Sequence, residues 1–380
     1  MLEEVMDNHK ETKEKRFKKR FFLILIFIAM AIGILIWRMF CYESAEEKLA
    51  AIDAARAIPD SENAAIIYNR LLENSNESLL TFNFADSKID MFTRDNPWKR
   101  TDYPELGKWL DERQDFIDEL IKASTVEKCY FSLTDNLKTP FPYSQSQRTV
   151  IMRKWALLID RSANNDIAEN RIKQALEKYI CLIHLGRHNR QQPIAIEFSV
   201  GMAIEGIGLH KINSVTLHDD ITEEHLKIIE AVLPQINIDL KQEWENMLEI
   251  ERLYSRVLPQ VPNSSGLLDR LKEWWQNIAN SDLAMKKVHE SYLRFLADRQ
   301  GSQILIGLRR YKNQTGNWPV NLDEIKPLVK EELLIDPRNN GPFVYKLSGD
   351  DFILYSKGPN NIDENGKKTG GADDWPIWPK

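Results

Sequence analysis

The chain has 380 residues, of which 43% are apolar and 28% are charged, and its formal net charge is −6 at pH 7. The acidic balance disfavours a nucleic-acid partner, and the length and apolar content suffice for one large or two medium cores. The three cysteines, Cys41, Cys129 and Cys181, exclude a disulfide-stapled class of fold. A bridge between Cys129 and Cys181 and a pair of buried free thiols both remain open.

Residues 21–42 are predicted to form a transmembrane helix. Its uncharged run extends from Phe21 to Trp37, which at about 1.5 Å per residue is close to the thickness of a bilayer core. The basic stretch Lys15-Arg-Phe-Lys-Lys-Arg20 precedes it, so the positive-inside rule keeps residues 1–20 in the cytoplasm. Small residues suited to signal peptidase are missing just after the apolar run, which favours a permanent anchor over a cleaved leader. The predicted location is the cytoplasmic (inner) membrane, with a single span and the bulk of the chain outside the cytoplasm.

Residues 43–300 are predicted to form an irregular helical domain, because most segments carry apolar residues at spacings of three and four. No fixed 34-residue period recurs, which argues against tetratricopeptide repeats. The segment Pro59-Asp-Ser-Glu-Asn-Ala-Ala-Ile-Ile-Tyr68 resembles one found near the membrane in uncharacterised envelope proteins of planctomycete-like bacteria. The predicted helices cover about residues 44–58, 63–72, 103–123, 146–160, 166–185, 193–212, 222–233, 239–257, 266–278 and 282–310.

Residues 301–380 follow a different pattern. Apolar residues cluster on both sides of Ser348-Gly-Asp350, which predicts a β-hairpin. Together with Tyr311-Lys-Asn-Gln-Thr-Gly-Asn-Trp-Pro319 and Asp336-Pro-Arg-Asn-Asn-Gly-Pro-Phe-Val-Tyr345, this order resembles the globular head of the major (G-type) pseudopilins of type II secretion. The resemblance implies a small α+β head with an antiparallel sheet. The predicted fold is therefore mainly α, with a transmembrane helix at one end and a pseudopilin-like head at the other.

The resemblance also implies that the loop after the hairpin binds calcium. This loop offers the carboxylates of Asp363, Glu364, Asp373 and Asp374 and several amide oxygens, and calcium prefers such oxygen ligands in a flexible loop. Asn360 stands where the family usually has an acidic residue. The predicted metal ligands are Asn360, Asp363, Asp373 and Asp374. The alternative is an exposed polar loop without a metal.

Catalytic signatures are weak. His184 and His188 lie four residues apart, a spacing that places them on one helix face and could bind zinc with Glu197 or Glu205. The alternative is that both imidazoles lie near a helix C-terminus, where cations suit the helix dipole. The sequence contains no HExxH motif, no nucleophile elbow, no phosphate-binding glycine loop and no dinucleotide fingerprint.

Three hypotheses about function follow. The leading one is a non-enzymatic binding or scaffolding protein of the bacterial cell envelope, anchored in the lipid bilayer through residues 21–42, with envelope proteins as partners and calcium as a cofactor. The second is a component of a type II secretion or pilus-like assembly, although no prepilin peptidase site precedes Phe21. The third is an envelope metallohydrolase that uses His184 and His188.

Overall fold

The computed structural model describes residues 30, 44–134, 143–233, 238–257 and 282–379. Leu49–Lys380 forms one compact unit. Within the described ranges, no helix is both long enough and apolar enough to cross a bilayer. The predicted transmembrane helix at 21–42, apart from Met30, and the predicted helix at 266–278 lie outside these ranges.

The described chain is mainly helical. Helices α2, α4 and α10 begin after Asn63, Asp86 and Thr222, whose side chains each accept a hydrogen bond from a backbone N–H of the first turn. The helices are α1 (Ala45–Arg56), α2 (Ala64–Asn74), α3 (Glu77–Leu80), α4 (Ser87–Asp95), α5 (Pro104–Asp111), α6 (Gln114–Ser124), α7 (Tyr143–Ala168), α8 (Ile172–Arg190), α9 (Ala195–Thr216), α10 (Glu223–Val232), α11 (Ile238–Val257) and α12 (Asp282–Thr315).

Most of the predicted helices are confirmed, with shifted ends. The helix predicted over 103–123 is divided into α5 and α6, and at the break the Arg113 guanidinium donates to the carbonyl oxygens of Leu79 and Trp109. Helix α7 continues beyond Asp160, and the chain turns only at Asn170, whose φ of 60° lies in the left-handed region that asparagine tolerates. Helices α3 and α4 were not predicted.

Helices α8 and α9 pack antiparallel at very close range. A Cβ atom at Gly186 of α8 would lie 2.4 Å from the backbone nitrogen of Glu205, and one at Gly201 of α9 would lie 2.4 Å from that of Arg190. Only glycine permits this approach of the two backbones. Cys129 and Cys181 are both free and buried in the same core, and burial raises the pKa of the Cys181 thiol to about 12.

Helix α12 contributes to two hydrophobic cores. Tyr292 and Phe295 pack into the larger core of the helical region, whereas Ala297, Leu305 and Leu308 pack into the smaller core of the C-terminal region. The predicted domain boundary at residue 300 therefore falls inside one continuous helix.

The C-terminal region contains a three-stranded antiparallel sheet with the order β1 (Val344–Ser348), β2 (Asp351–Ser356), β3 (Trp375–Trp378). The predicted hairpin is confirmed, because Ser348 pairs with Asp351 around Gly349, whose φ is 61°. Strand β3 was not predicted. It lies against α12, where the indole N–H of Trp375 donates to Asp298 at 2.8 Å.

Candidate metal centre

Residues 357–374 form the loop that joins β2 to β3, and glycine shapes its beginning. Gly358 has a φ of 71°, and a Cβ atom there would lie 2.2 Å from Asp373 Oδ1. The loop turns again at Asn365 and Gly366, which also adopt positive φ. These turns return the end of the loop to its start and bring its acidic side chains together.

The side chains of Glu364, Asp373 and Asp374, here called the acid cluster, each place a carboxylate oxygen within 4.8 Å of the other two. Backbone N–H groups donate to all three. Asp373 Oδ2 accepts from the N–H of Asn360 at 3.3 Å. Asp374 Oδ2 accepts from the N–H of Glu364 at 2.9 Å and from that of Gly366 at 2.8 Å. Glu364 Oε2 accepts from the N–H of Asp373 at 2.9 Å and from that of Asp374 at 3.2 Å.

Two carboxylate oxygens of the acid cluster are buried and accept no hydrogen bond from the described residues. Asp373 Oδ1 and Asp374 Oδ1 have no hydrogen-bond partner in the part of the chain that the structure describes, although Asp374 is 0% exposed. Burial raises the pKa of Asp374, whereas hydrogen bonds, first that from the Asp373 N–H, lower the pKa of Glu364. A buried carboxylate oxygen normally has a hydrogen bond or a positive charge beside it. Carboxylate oxygens are also the ligand type that a hard divalent cation prefers.

The structure places two of the four predicted metal ligands in the acid cluster and two outside it. Asp373 and Asp374 belong to the acid cluster. Asn360 lies beside it, with its amide N–H₂ donating to Glu364 Oε1 at 2.9 Å, but its Oδ1 accepts from the N–H of Ile362 at 2.7 Å. Glu364, which the predicted ligand set leaves out, joins the two aspartates instead of Asp363.

Asp363 points to the sheet. Its Oδ1 accepts from the Tyr355 hydroxyl at 2.5 Å, and its Oδ2 accepts from Lys346 Nζ at 3.0 Å. The Tyr355 hydrogen bond is the largest of the contributions that lower the pKa of Asp363 to about 2. Burial first, and then the bond to Asp363, raises the pKa of Tyr355 to about 12. Asp363 is therefore an ionised partner of two sheet residues.

His184 and His188 lie in the core of the helical region. The His188 ring, 2% exposed, has its Nδ1 3.0 Å from the Tyr68 hydroxyl, and burial is the main cause that lowers its pKa to about 3. Burial also lowers the pKa of His184 to about 4. Across residues 44–134, 143–233, 238–257 and 282–379, the acid cluster is the one group of three or more His, Cys, Asp or Glu side chains close enough to share an ion. Both imidazoles are uncharged at neutral pH.

A cavity of about 190 Å³ opens between the end of α7 and helices α8 and α9. The Lys211 side chain lies on its wall, and Lys211 Nζ donates to the carbonyl oxygens of Arg94 and Asp95. Asp160 lies behind it, 3.6 Å from the same nitrogen, and burial raises the pKa of Asp160 to about 7. These contacts tie α4, α7 and α9 together, which is a structural role.

Comparison with protein-family models, with curated proteins and with solved structures finds no match for this chain.

Proposed function

We propose that this protein is a membrane-anchored, extracytoplasmic binding or scaffolding protein of the bacterial cell envelope, and that calcium stiffens its C-terminal head. The anchor is the apolar segment at 21–42, and the basic residues before it set the orientation. The helical region supplies surface for envelope partners. The head is attached to that region through α12, which contributes to both cores.

The observation that carries the calcium part is the pair of uncompensated oxygens, Asp373 Oδ1 and Asp374 Oδ1. Calcium takes about six to eight oxygen ligands at about 2.3–2.6 Å and accepts irregular geometry. The acid cluster offers three carboxylates, and the glycine turns of the loop let backbone carbonyl groups and water supply the remaining ligands. Since the loop joins two strands, an ion held there would tie β3 to the hairpin.

Thermal unfolding of the full-length chain in detergent tests this part. A ligand that binds only the folded state stabilises it by about 2.7 kcal/mol at a hundredfold excess over its Kd. The melting temperature is therefore expected to rise by several degrees when calcium replaces EDTA. Asp374→Asn is expected to abolish the rise, whereas Glu332→Gln, a change at an exposed acid of the head, should keep it. An equal melting temperature of the wild-type chain in calcium and EDTA would remove calcium from the proposal.

The orientation is tested separately in cells. A reporter phosphatase that is active only outside the cytoplasm, fused after the C-terminus, should be active and should sediment with the membrane fraction. Deletion of residues 1–42 should abolish both properties. An inactive full-length fusion, or one recovered in the soluble fraction, would contradict the anchored, outward arrangement.

A further inference from the structure

Lys346 of β1 contacts the loop at two points. Its Nζ donates to Asp363 Oδ2 at 3.0 Å and to Asn365 Oδ1 at 2.8 Å. Asp363 is held a second time by the hydroxyl of Tyr355, a β2 residue that is 1% exposed, and a third time by the N–H of Asn365 at 2.9 Å. Both contacted loop residues are therefore fixed to the sheet.

The residue between Asp363 and Asn365 is Glu364, a member of the acid cluster. Fixing both neighbours restricts the backbone of Glu364, and its N–H is one of the two groups that donate to Asp374 Oδ2. The side chain of Glu364 in turn accepts from the N–H groups of Asp373 and Asp374. The conformation that brings the three carboxylates together thus depends on the contacts that Lys346 and Tyr355 make.

We propose that Lys346 is a positioning residue of the calcium site, and that Asp363 anchors the loop to the sheet and does not ligate the ion. This inference rests on the proposed calcium binding. It assigns a cation to a supporting role beside a cation site, an arrangement that sequence composition does not suggest.

Lys346 affects calcium binding in two ways, and the two effects predict opposite changes in calcium affinity when Lys346 is removed. A positive charge near the site repels calcium, so if charge alone mattered, its removal would tighten binding. Loss of the hydrogen bonds from Lys346 to Asp363 and Asn365 lets the backbone at Glu364 sample other conformations. If positioning dominates, removal of Lys346 therefore weakens calcium binding. The Lys346 side chain is 39% exposed, which places its charge in a well-screened environment. Positioning is therefore the larger effect.

The test is calorimetric titration of the full-length chain in detergent with calcium chloride alone. Lys346→Met is expected to raise the Kd for calcium by about tenfold, which corresponds to about 1.4 kcal/mol. Lys346→Arg keeps a donor for both Asp363 and Asn365 and should stay within about threefold of wild type. Tyr355→Phe removes one hydrogen bond to Asp363 and should weaken binding by about two- to fivefold. The melting temperature of Lys346→Met in EDTA should change little, because the Lys346 side chain is exposed at the surface of the sheet.

The outcomes separate this inference from the proposed function. If the wild-type chain binds no calcium, the proposed function and this inference both fail. If the wild-type chain binds calcium and Lys346→Met binds equally or more tightly, this inference alone fails. Should Lys346→Met not fold, the Tyr355→Phe variant decides, because an unchanged calcium Kd for that variant overturns this inference.

Discussion

The helical region and the C-terminal loop bury carboxylates in different ways. In the helical region, Glu205 is 0% exposed and lies between two arginines, with Arg190 Nε at 3.2 Å and Arg299 Nη1 at 2.8 Å. In the loop, none of the ion pairs among the described residues includes Glu364, Asp373 or Asp374. Among the described residues, the protein pairs Glu205 with two arginines and forms no ion pair with the acid cluster.

The same difference is seen among the buried carboxylate oxygens that accept no hydrogen bond. Within the described ranges these are oxygens of Asp160, Glu243, Asp373 and Asp374. Asp160 Oδ1 lies 3.6 Å from Lys211 Nζ, and Glu243 Oε2 is paired with Arg190. Arg338 lies near Asp373, where its Nη1 donates to the Asp373 carbonyl oxygen at 3.0 Å, but among the described residues no cation forms an ion pair with either loop carboxylate. Among the described residues, a buried carboxylate without a hydrogen bond or an ion pair is exceptional, which is why the loop is the candidate site.

The largest loss of stability is expected when the buried Glu205 carboxylate, which pairs with Arg190 and Arg299, is removed. Glu205→Gln leaves the buried Arg299 guanidinium without its carboxylate and leaves Arg190 only that of Glu243, so it should destabilise the chain by about 3–5 kcal/mol. Urea unfolding of the full-length chain followed by circular dichroism measures this loss. Glu245→Gln is the matched control, since Glu245 is an exposed helix residue paired with Lys241 at 3.8 Å, and it should cost less than about 1 kcal/mol. Equal effects of the two changes would contradict the role given to the buried pair.

A second test concerns the close contact that brings these charges together. Gly201→Ala places a methyl group where Arg190 backbone nitrogen lies 2.4 Å away, so α8 and α9 must separate, at a cost of about 2–3 kcal/mol. Gly206→Ala is the same change on the same helix with no atom within 4 Å, and it should stabilise the chain by about 0.5–1 kcal/mol. Thermal unfolding of both variants measures the difference. A neutral Gly201→Ala would show that the helices pack more loosely than described.

A third test uses pH. Because the pKa of Asp160 is raised to about 7, the folded state binds this proton more tightly than the unfolded state does. The stabilisation from Asp160 is fully present below its ordinary pKa, near 4, and is lost as pH rises through about 7. Asp160→Asn resembles the protonated form but does not titrate, so its advantage over wild type should already be present at pH 5 and should be about 2–3 kcal/mol larger at pH 8. An advantage that is equal at both pH values would mean that Lys211 compensates the carboxylate fully.

The sequence predicts local features well where one short segment determines them. Asn63 and Thr222 are cap residues that mark helix starts, and Gly349 permits the tight turn of the hairpin. The glycines and asparagines of residues 357–374 correctly indicate a loop. Pseudopilin family membership, the transmembrane anchor and calcium binding stay predictions.

The features that the sequence does not reveal depend on distant residues. Asp363 and Glu364 are neighbours with the same charge, and which of them faces the acid cluster is decided by Lys346 and Tyr355 on the sheet. The continuity of α12 across residue 300 depends on two separate cores packing against one helix. Strand β3 is recognisable only once Ile377 is seen against Gly301 of α12. No local pattern carries this information.

The most direct test of whether a metal ion binds the acid cluster is a crystal structure of the chain grown with calcium, with anomalous diffraction recorded to locate the ion. We expect one anomalous peak within about 2.3–2.6 Å of oxygens from Asp373 and Asp374, with Lys346 still bound to Asp363. A map without a peak there, in which both aspartates instead meet lysine, arginine or ordered water, would contradict the claim that a metal ion completes this site.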